Sequence, residues 1–461
     1  MTTSGKTFEG NPHADGTGAG VCRRSFIGRA GALFAAAAAA PVVGFPAVVK
    51  RRSPSSLLSH ACIGTANMGR EDLAGLKACK DLHITALCDV DSAYLAAARK
   101  LCPDARIYRD ASEMLAAEGD RIDSVNVSTP DHTHAQYVLD ALGRGLNVYG
   151  QKPLCHDLAD VRRIERLAAE KGAVTQLGTQ IVAWECDRKT IAALRRGLVG
   201  EVRRVWIFSN RRHRPSPEAF ALPPREDPVP ETLDWRLWLG KAAMRPYSAG
   251  AYHPRAWRKW RDFGSSWIGD LALHLMAPIW HGMDLGVTGP ETVVAEASDD
   301  GWTPAQKAAF WPTMSHVTWT FPGVKASGGR PFEVEWCDGF ASAADAIDPK
   351  FLPPASLQEI AAKSPYGRLP LQGRVVEGTE GWLLSTHYDV APVCVPRKGG
   401  AAPKVPSVGP APSHWREYVD CCLCGGRPAC SFSWSARLTE MGLLGNVASL
   451  EPGRTVRGIG R

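Results

Sequence analysis

Charge is scarce in this chain where a nucleic-acid binder would need it. Residues 1–52 hold seven Lys/Arg against two Asp/Glu, which leaves forty-seven bases and forty-five acids for the rest of the 461 residues. A body so near neutrality lacks the clustered cationic surface that phosphate backbones demand, so no nucleic-acid partner is expected. Long apolar runs are absent beyond the leader, and inside it Pro41 and Pro46 break the run, which argues against a permanent membrane span. No internal repeat is visible, which excludes a solenoid. Thirteen cysteines are an odd count without a paired framework, so a disulfide pattern cannot be assigned. Cys421, Cys422, Cys424 and Cys430 crowd into "CCLCGGRPAC" but lack the paired C-x₂-C and histidine spacings of usual zinc sites, and no metal is expected.

What is present begins with the leader. In "CRRSFIGRAGALFAAAAAAPVVGFPAVV" the pair Arg23-Arg24 is followed by Phe26 and a weakly apolar, Ala-rich run, with small residues such as Ala40 and Ala47 at possible cleavage points. This order is the twin-arginine export pattern, so residues 1–52 are expected to address the chain to the twin-arginine (Tat) machinery and the periplasm or exterior.

From Leu57 to Gln180 short apolar runs alternate with amphipathic helical windows, among them "HACIGTANMG", "LHITALCDVD", "IDSVNVSTP" and "NVYG". That alternation means βαβ units and a parallel sheet with helices on both faces. Cys62 and Cys88 fall inside two of these strands, as small buried groups. After Glu185, runs such as "VRRVWIFSN", "HVTWTFPG" and "PFEVEWCDGF" read as strands of a second sheet. The Pro-rich stretches 213–230 and 349–370 read as long surface loops. The expected fold class is α/β: a leader over 1–52, a Rossmann-like dinucleotide-binding domain over 53–180, and an α+β domain over 181–461 with a large, mostly antiparallel sheet.

Four stretches carry candidate chemistry. "IGTANMG" puts Gly64, Ala66, Asn67, Met68 and Gly69 between a strand and a helix, close to the G-x-G-x-x-G fingerprint but with alanine in the middle. Twenty residues past Gly69 the next strand ends at Asp89, where an acid holds ribose hydroxyls and repels a 2′-phosphate, favouring NAD over NADP. "VSTPDHTH" brings Thr129, Pro130, His132 and His134 to a strand's carboxyl end, where open α/β sheets bind ligands; His134 is equally suited to capping the next helix. "GQKP" sets Gln151 and Lys152 at the tip of the following strand, and "GDLALHL" spaces Asp270 and His274 to share a helix face.

Taken together, the glycine turn, the acidic strand end, "TPDHTHA" and "KP" resemble the Gfo/Idh/MocA oxidoreductases. The resemblance runs on through "TQLGTQ", which includes Gln180, "LDWRLWLG", "YHPRAWRKWRDFGSSWIGDLALHLM" and "HWREYVDCCLCGG…LTEMGLLGNVA", the pattern of an exported bacterial branch. It implies NAD, a sugar, glycoside or polyol as substrate, and a homo-oligomer. It also implies that Lys152 lies beside nicotinamide and the reacting hydroxyl, that Asp270 orients substrate, and that His274 is the base. The chain departs from the usual E-K-P by carrying Gln151, and from the branch's acid by carrying Ala277. Loss of a negative neighbour at 151 is expected to lower the pKa of Lys152. Fifteen tryptophans, six of them between Trp235 and Trp280, suit stacking on sugar faces, although most are expected to be core packing.

Export adds a constraint, because free NAD is scarce outside the cytoplasm. The expectation is a tightly bound cofactor in a redox-neutral cycle of hydroxyl oxidation and hydride return, as in glycoside cleavage, epimerisation or paired sugar oxidation and reduction. The alternatives are a conventional sugar or polyol dehydrogenase and a non-catalytic periplasmic sugar-binding protein on the same fold.

Overall fold

The computed structural model describes residues 57–458 apart from 212–214, 287, 299–300, 340–347 and 389. The leader, its export pattern and the boundary at residue 52 lie outside the described residues.

The first sheet has six parallel strands: β1 (Leu58–Ile63), β2 (Leu82–Cys88), β3 (Arg106–Tyr108), β4 (Ser124–Val127), β5 (Asn147–Gly150) and β6 (Thr175–Leu177), in the order β3-β2-β1-β4-β5-β6. β4 is buried at every position and β1 at all but Ser59, without alternation, because helices cover both faces. Leu73, Leu76, Leu95 and Ala98 from helices Met68–Lys77 and Ser92–Leu101 fill one side. Met114, Val138, Val161 and Ile164 from helices Ala111–Glu118, Asp131–Gly143 and Leu158–Lys171 fill the other. Local chemistry marks the ends of these helices. The Asp157 carboxylate accepts from the Ala159 N–H at 2.9 Å to start Leu158–Lys171, and Gly172, at φ +61°, ends it.

The second sheet has eight strands: β7 (Val202–Ser209), β8 (Thr292–Ala297), β9 (Ser315–Phe321), β10 (Phe332–Cys337), β11 (Gln372–Gly378), β12 (Gly381–Thr386), β13 (Val393–Pro396) and β14 (Val456–Arg457). Their order is β13-β12-β11-β7-β10-β9-β8-β14, antiparallel throughout except between β7 and β10. β9 alternates buried and half-buried residues, and Val317, Trp319 and Phe321 point at the core. That core is closed by helices Glu185–Arg195, Leu273–Gly282 and Phe432–Leu450.

Two features depart from the sequence pattern. The stretch 349–370 is not a simple surface loop. It holds the helix Ala355–Ala362, whose Leu357, Ile360 and Ala361 pack on Trp206, Val375 and Leu384 across the outer face of the second sheet. Proline at 353, 354, 365 and 370 brackets the helix, and only its short apolar face gives it away. The chain's end also returns to the first sheet. Helix His414–Cys424 lays Tyr418 and Val419 on the β1–β2 side, and Phe432, Ala436 and Leu443 from the last long helix join the opposite face. Both sheets therefore belong to one compact unit.

Candidate active site

β1 runs into the glycine turn at Gly64, whose φ is +85° and where a Cβ would come within 2.5 Å of the Ser128 carbonyl oxygen. Gly69 packs as tightly: a Cβ there would lie 2.3 Å from the Gly64 carbonyl oxygen. The two outer glycines thus let the helix start press against the β1 and β4 strand ends. Asn67 holds φ +51°, and no side chain caps the helix Met68–Lys77 that begins beyond it. An uncapped helix N-terminus opening into a cleft suits an anionic group such as a pyrophosphate. The Ala66 methyl is part of the cleft wall, and Asn67 Oδ1 accepts from Arg255 Nε at 2.9 Å.

The cleft follows the carboxyl ends of the parallel strands. Asp89 lies on its wall at the end of β2, with Oδ2 accepting from the Thr65 amide (2.8 Å) and hydroxyl (3.0 Å) and Oδ1 from the Asp91 amide (3.0 Å). Burial pushes the Asp89 pKa up while these donors hold it back. Arg109 also lines this end, but it is committed to the carbonyls of Val90 and Thr232, both at 2.9 Å.

The residues of "TPDHTH" divide. Thr129 and Pro130 line the cleft, as does His134, whose two ring nitrogens face the carbonyls of Thr129 and Pro153, each at 2.8 Å. His134 therefore ties this loop to the lysine loop. His132 does not line the cleft, contrary to expectation. Its Nε2 lies 3.1 Å from the Trp238 carbonyl, and its ring packs against Trp238 and Phe263. Burial brings its pKa down to about 3, so it is a neutral part of an aromatic core. That core, with Tyr252, takes four of the six tryptophans between Trp235 and Trp280, namely Trp235, Trp238, Trp257 and Trp260; Trp238 and Trp257 also face the cleft.

Lys152 reaches the cleft from the end of β5 and contacts the Asp270 carboxylate. Burial pulls its pKa down to about 7, helped by Arg258 and Arg211 and opposed by Asp131 and Asp72. Gln151 turns the other way. Its Nε2 donates to Asp72 Oδ2 at 2.9 Å, and its Oε1 is buried with no hydrogen-bond partner among the described residues. Asp72 is fully buried and also accepts from Ser128 Oγ (2.7 Å), Trp415 Nε1 (3.0 Å) and Gln180 Nε2 (3.4 Å). Gln180 thus belongs to the Asp72 network and not to the cleft wall. The carboxylate missing at 151 is present one layer away at Asp72, and its field on Lys152 has the sign a glutamate would give. Nothing in "MGREDL" marks Asp72, which reads as one acid in a charged helical start.

Asp270 sits in a π-helical turn, Ile268–Ala272, that leads directly into helix Leu273–Gly282 with His274 in its first turn. The wide turn replaces the simple i, i+4 register expected from spacing; such turns recur at functional sites. Arg258 Nε lies 3.5 Å from Asp270 Oδ2, so Asp270 bridges Lys152 and Arg258. His274 has its pKa driven well below the usual imidazole value, first by burial and then by Lys152, His387 and Arg211. It is a neutral imidazole with Nδ1 lacking a hydrogen-bond partner among the described residues. Beneath it, fully buried Arg374 donates to the Leu275 carbonyl at 2.7 Å and pairs with buried Asp187. Sequence reasoning missed Arg258, His387, Arg374 and Asp187 because only the fold brings them to this helix.

Residues 58–179 match the model of an oxidoreductase family with an NAD-binding Rossmann fold, and residues 221–315 match the C-terminal alpha/beta domain model of the same family. Both matched models are of the Gfo/Idh/MocA oxidoreductases, the family the sequence resembles. A D-apiose dehydrogenase of Paraburkholderia graminis is 33% identical over 141 residues, 30% of this chain and 37% of that protein. An inositol 2-dehydrogenase of Gluconacetobacter diazotrophicus is 30% identical over 187 residues, 40% of this chain and 54% of that protein. The chain therefore spans from about a third to about half the length of these relatives. An aldose-aldose oxidoreductase structure from Caulobacter crescentus shares the fold, with TM-score 0.54 and 16% identity, covering 87% of this chain and 99% of that one.

Proposed function

We propose that this protein is an NAD-dependent oxidoreductase acting on a secondary hydroxyl of a sugar, glycoside or polyol. The observation that carries the reading is the Lys152–Asp270 contact, which joins the tip of a dinucleotide-type sheet to the helix of His274. The uncapped helix N-terminus at Asn67 fits the pyrophosphate, and Asp89 fits the adenosine ribose and disfavours a 2′-phosphate, so NAD is preferred over NADP. NAD bound there would supply the hydride acceptor.

The chain's own groups divide the remaining work. The Lys152 ammonium, held by Asp270, polarises the hydroxyl and stabilises the oxyanion as it forms. Neutral His274 takes the hydroxyl proton. Asp270 fixes the lysine and a substrate hydroxyl in one orientation. The Arg23-Arg24 leader supports twin-arginine export to the periplasm, and a chain exported folded carries its cofactor with it. We therefore favour a redox-neutral cycle in which the hydride returns to the sugar. Assays of Lys152→Ala and His274→Ala test this reading. Turnover is expected to fall about 10²–10³-fold in each while NAD binding persists; unchanged turnover in both would sink it.

A further inference from the structure

The reacting end of the cleft holds more positive charge than its own acids use. Arg258 lies across the Trp257 ring at 4.3 Å and lines the cleft with its side chain 30% exposed. Only its Nε approaches a carboxylate, Asp270 at 3.5 Å; the two terminal amino groups make no hydrogen bond among the described residues. Arg211 sits over the Trp267 ring at 5.4 Å, and among the described residues its side chain makes no hydrogen bond, while its backbone amide donates to Ser209 Oγ at 3.1 Å. Two acids, Asp270 and Asp131, face Arg258, against the further cations Arg211 and Arg255 beside it. Asp270 is shared between Lys152 and Arg258, and Asp131 Oδ2 accepts from the Ser265 amide at 3.0 Å.

The cofactor does not account for this surplus. The cation facing the glycine turn is Arg255, bonded to Asn67, whereas Arg258 faces Asp270. A guanidinium held over an indole, at the wall of a cleft, is preorganised for a planar or tetrahedral oxyanion. We propose that the substrate is an anionic sugar, its carboxylate or phosphate received by Arg258 with Arg211 beside it while a secondary hydroxyl meets Lys152. The inference rests on the sugar oxidoreductase reading above and narrows its substrate class.

Isothermal titration of the full chain saturated with NAD tests it, using glucose, galactose and mannose, the corresponding uronates and the corresponding 6-phosphates. A charged sugar is expected to bind about tenfold or more tightly than its neutral parent, the scale of one charge-assisted hydrogen bond. Arg258→Gln should erase that advantage, and Arg211→Gln should reduce it while NAD affinity holds. Preference for the uronate or for the phosphate identifies the anion. Equal binding of charged and neutral sugars overturns the inference, as does an advantage that survives both substitutions. Binding of NAD but of no sugar at all overturns the sugar reading beneath it.

Discussion

Lys152 and Gln151 share a peptide bond yet serve opposite sides of the strand tip. Lys152 points into the cleft at Asp270, and Gln151 points back at buried Asp72. The place of Lys152 at a strand tip was legible from "KP" after a strand, but the partner of Gln151 was not, because it is 79 residues away on another element. Restoring glutamate there would set two carboxylates against each other inside the protein. Gln151→Glu is expected to cost about 3 kcal/mol of unfolding free energy in denaturant titrations. Adding Asp72→Asn should recover about 1–3 kcal/mol of it through the pair's coupling. Strict additivity of the two substitutions would refute the exchange of charge between these positions.

The same residues set the pH response. In the proposed mechanism Lys152 serves as an ammonium whose pKa burial has lowered to about 7, and His274 as a base whose pKa lies well below its usual value. kcat/KM should therefore decline as pH rises through about 7, where Lys152 loses its proton, and should stay level on the acid side past the ordinary histidine range. Lys152→Arg should move the alkaline decline upward, since guanidinium does not titrate there. A rate that climbs through pH 7 in the wild type would instead make neutral Lys152 the base.

At the scale of elements, the strands and helices of the first sheet follow from the pattern of short buried runs and amphipathic windows, and the strand-end site follows from that topology. Spacing alone put Asp270 and His274 on one helical face, and the π-helical turn between them was invisible because it depends on packing. The helix Ala355–Ala362 was likewise hidden among prolines. Behind His274, the Arg374–Asp187 pair fixes the helix Leu273–Gly282 through the Leu275 carbonyl. Arg374→Met leaves the Asp187 carboxylate buried without its guanidinium and should cost about 3–5 kcal/mol. Because the helix is only one residue from His274 at that bond, kcat should fall more than NAD affinity. Equal loss of both would mean the pair holds up the whole fold and nothing more specific.

For the whole molecule, two sheets and a returning C-terminal segment form one unit, with Trp415 reaching from that segment to Asp72 beneath the glycine turn. The sequence located the two sheets but not this return, since "HWREYV" reads as any amphipathic helix until its partner surface is known. In the redox-neutral cycle proposed above, this unit holds NAD firmly enough to carry it through export and to use it without exchange. Native mass spectrometry of the full chain, purified from cells, tests that most directly. A species heavier than the chain by one NAD is expected to persist through dialysis, with no accumulation of free NADH when a converted sugar is added. A nucleotide-free chain that turns over only with added NAD and releases NADH would contradict it.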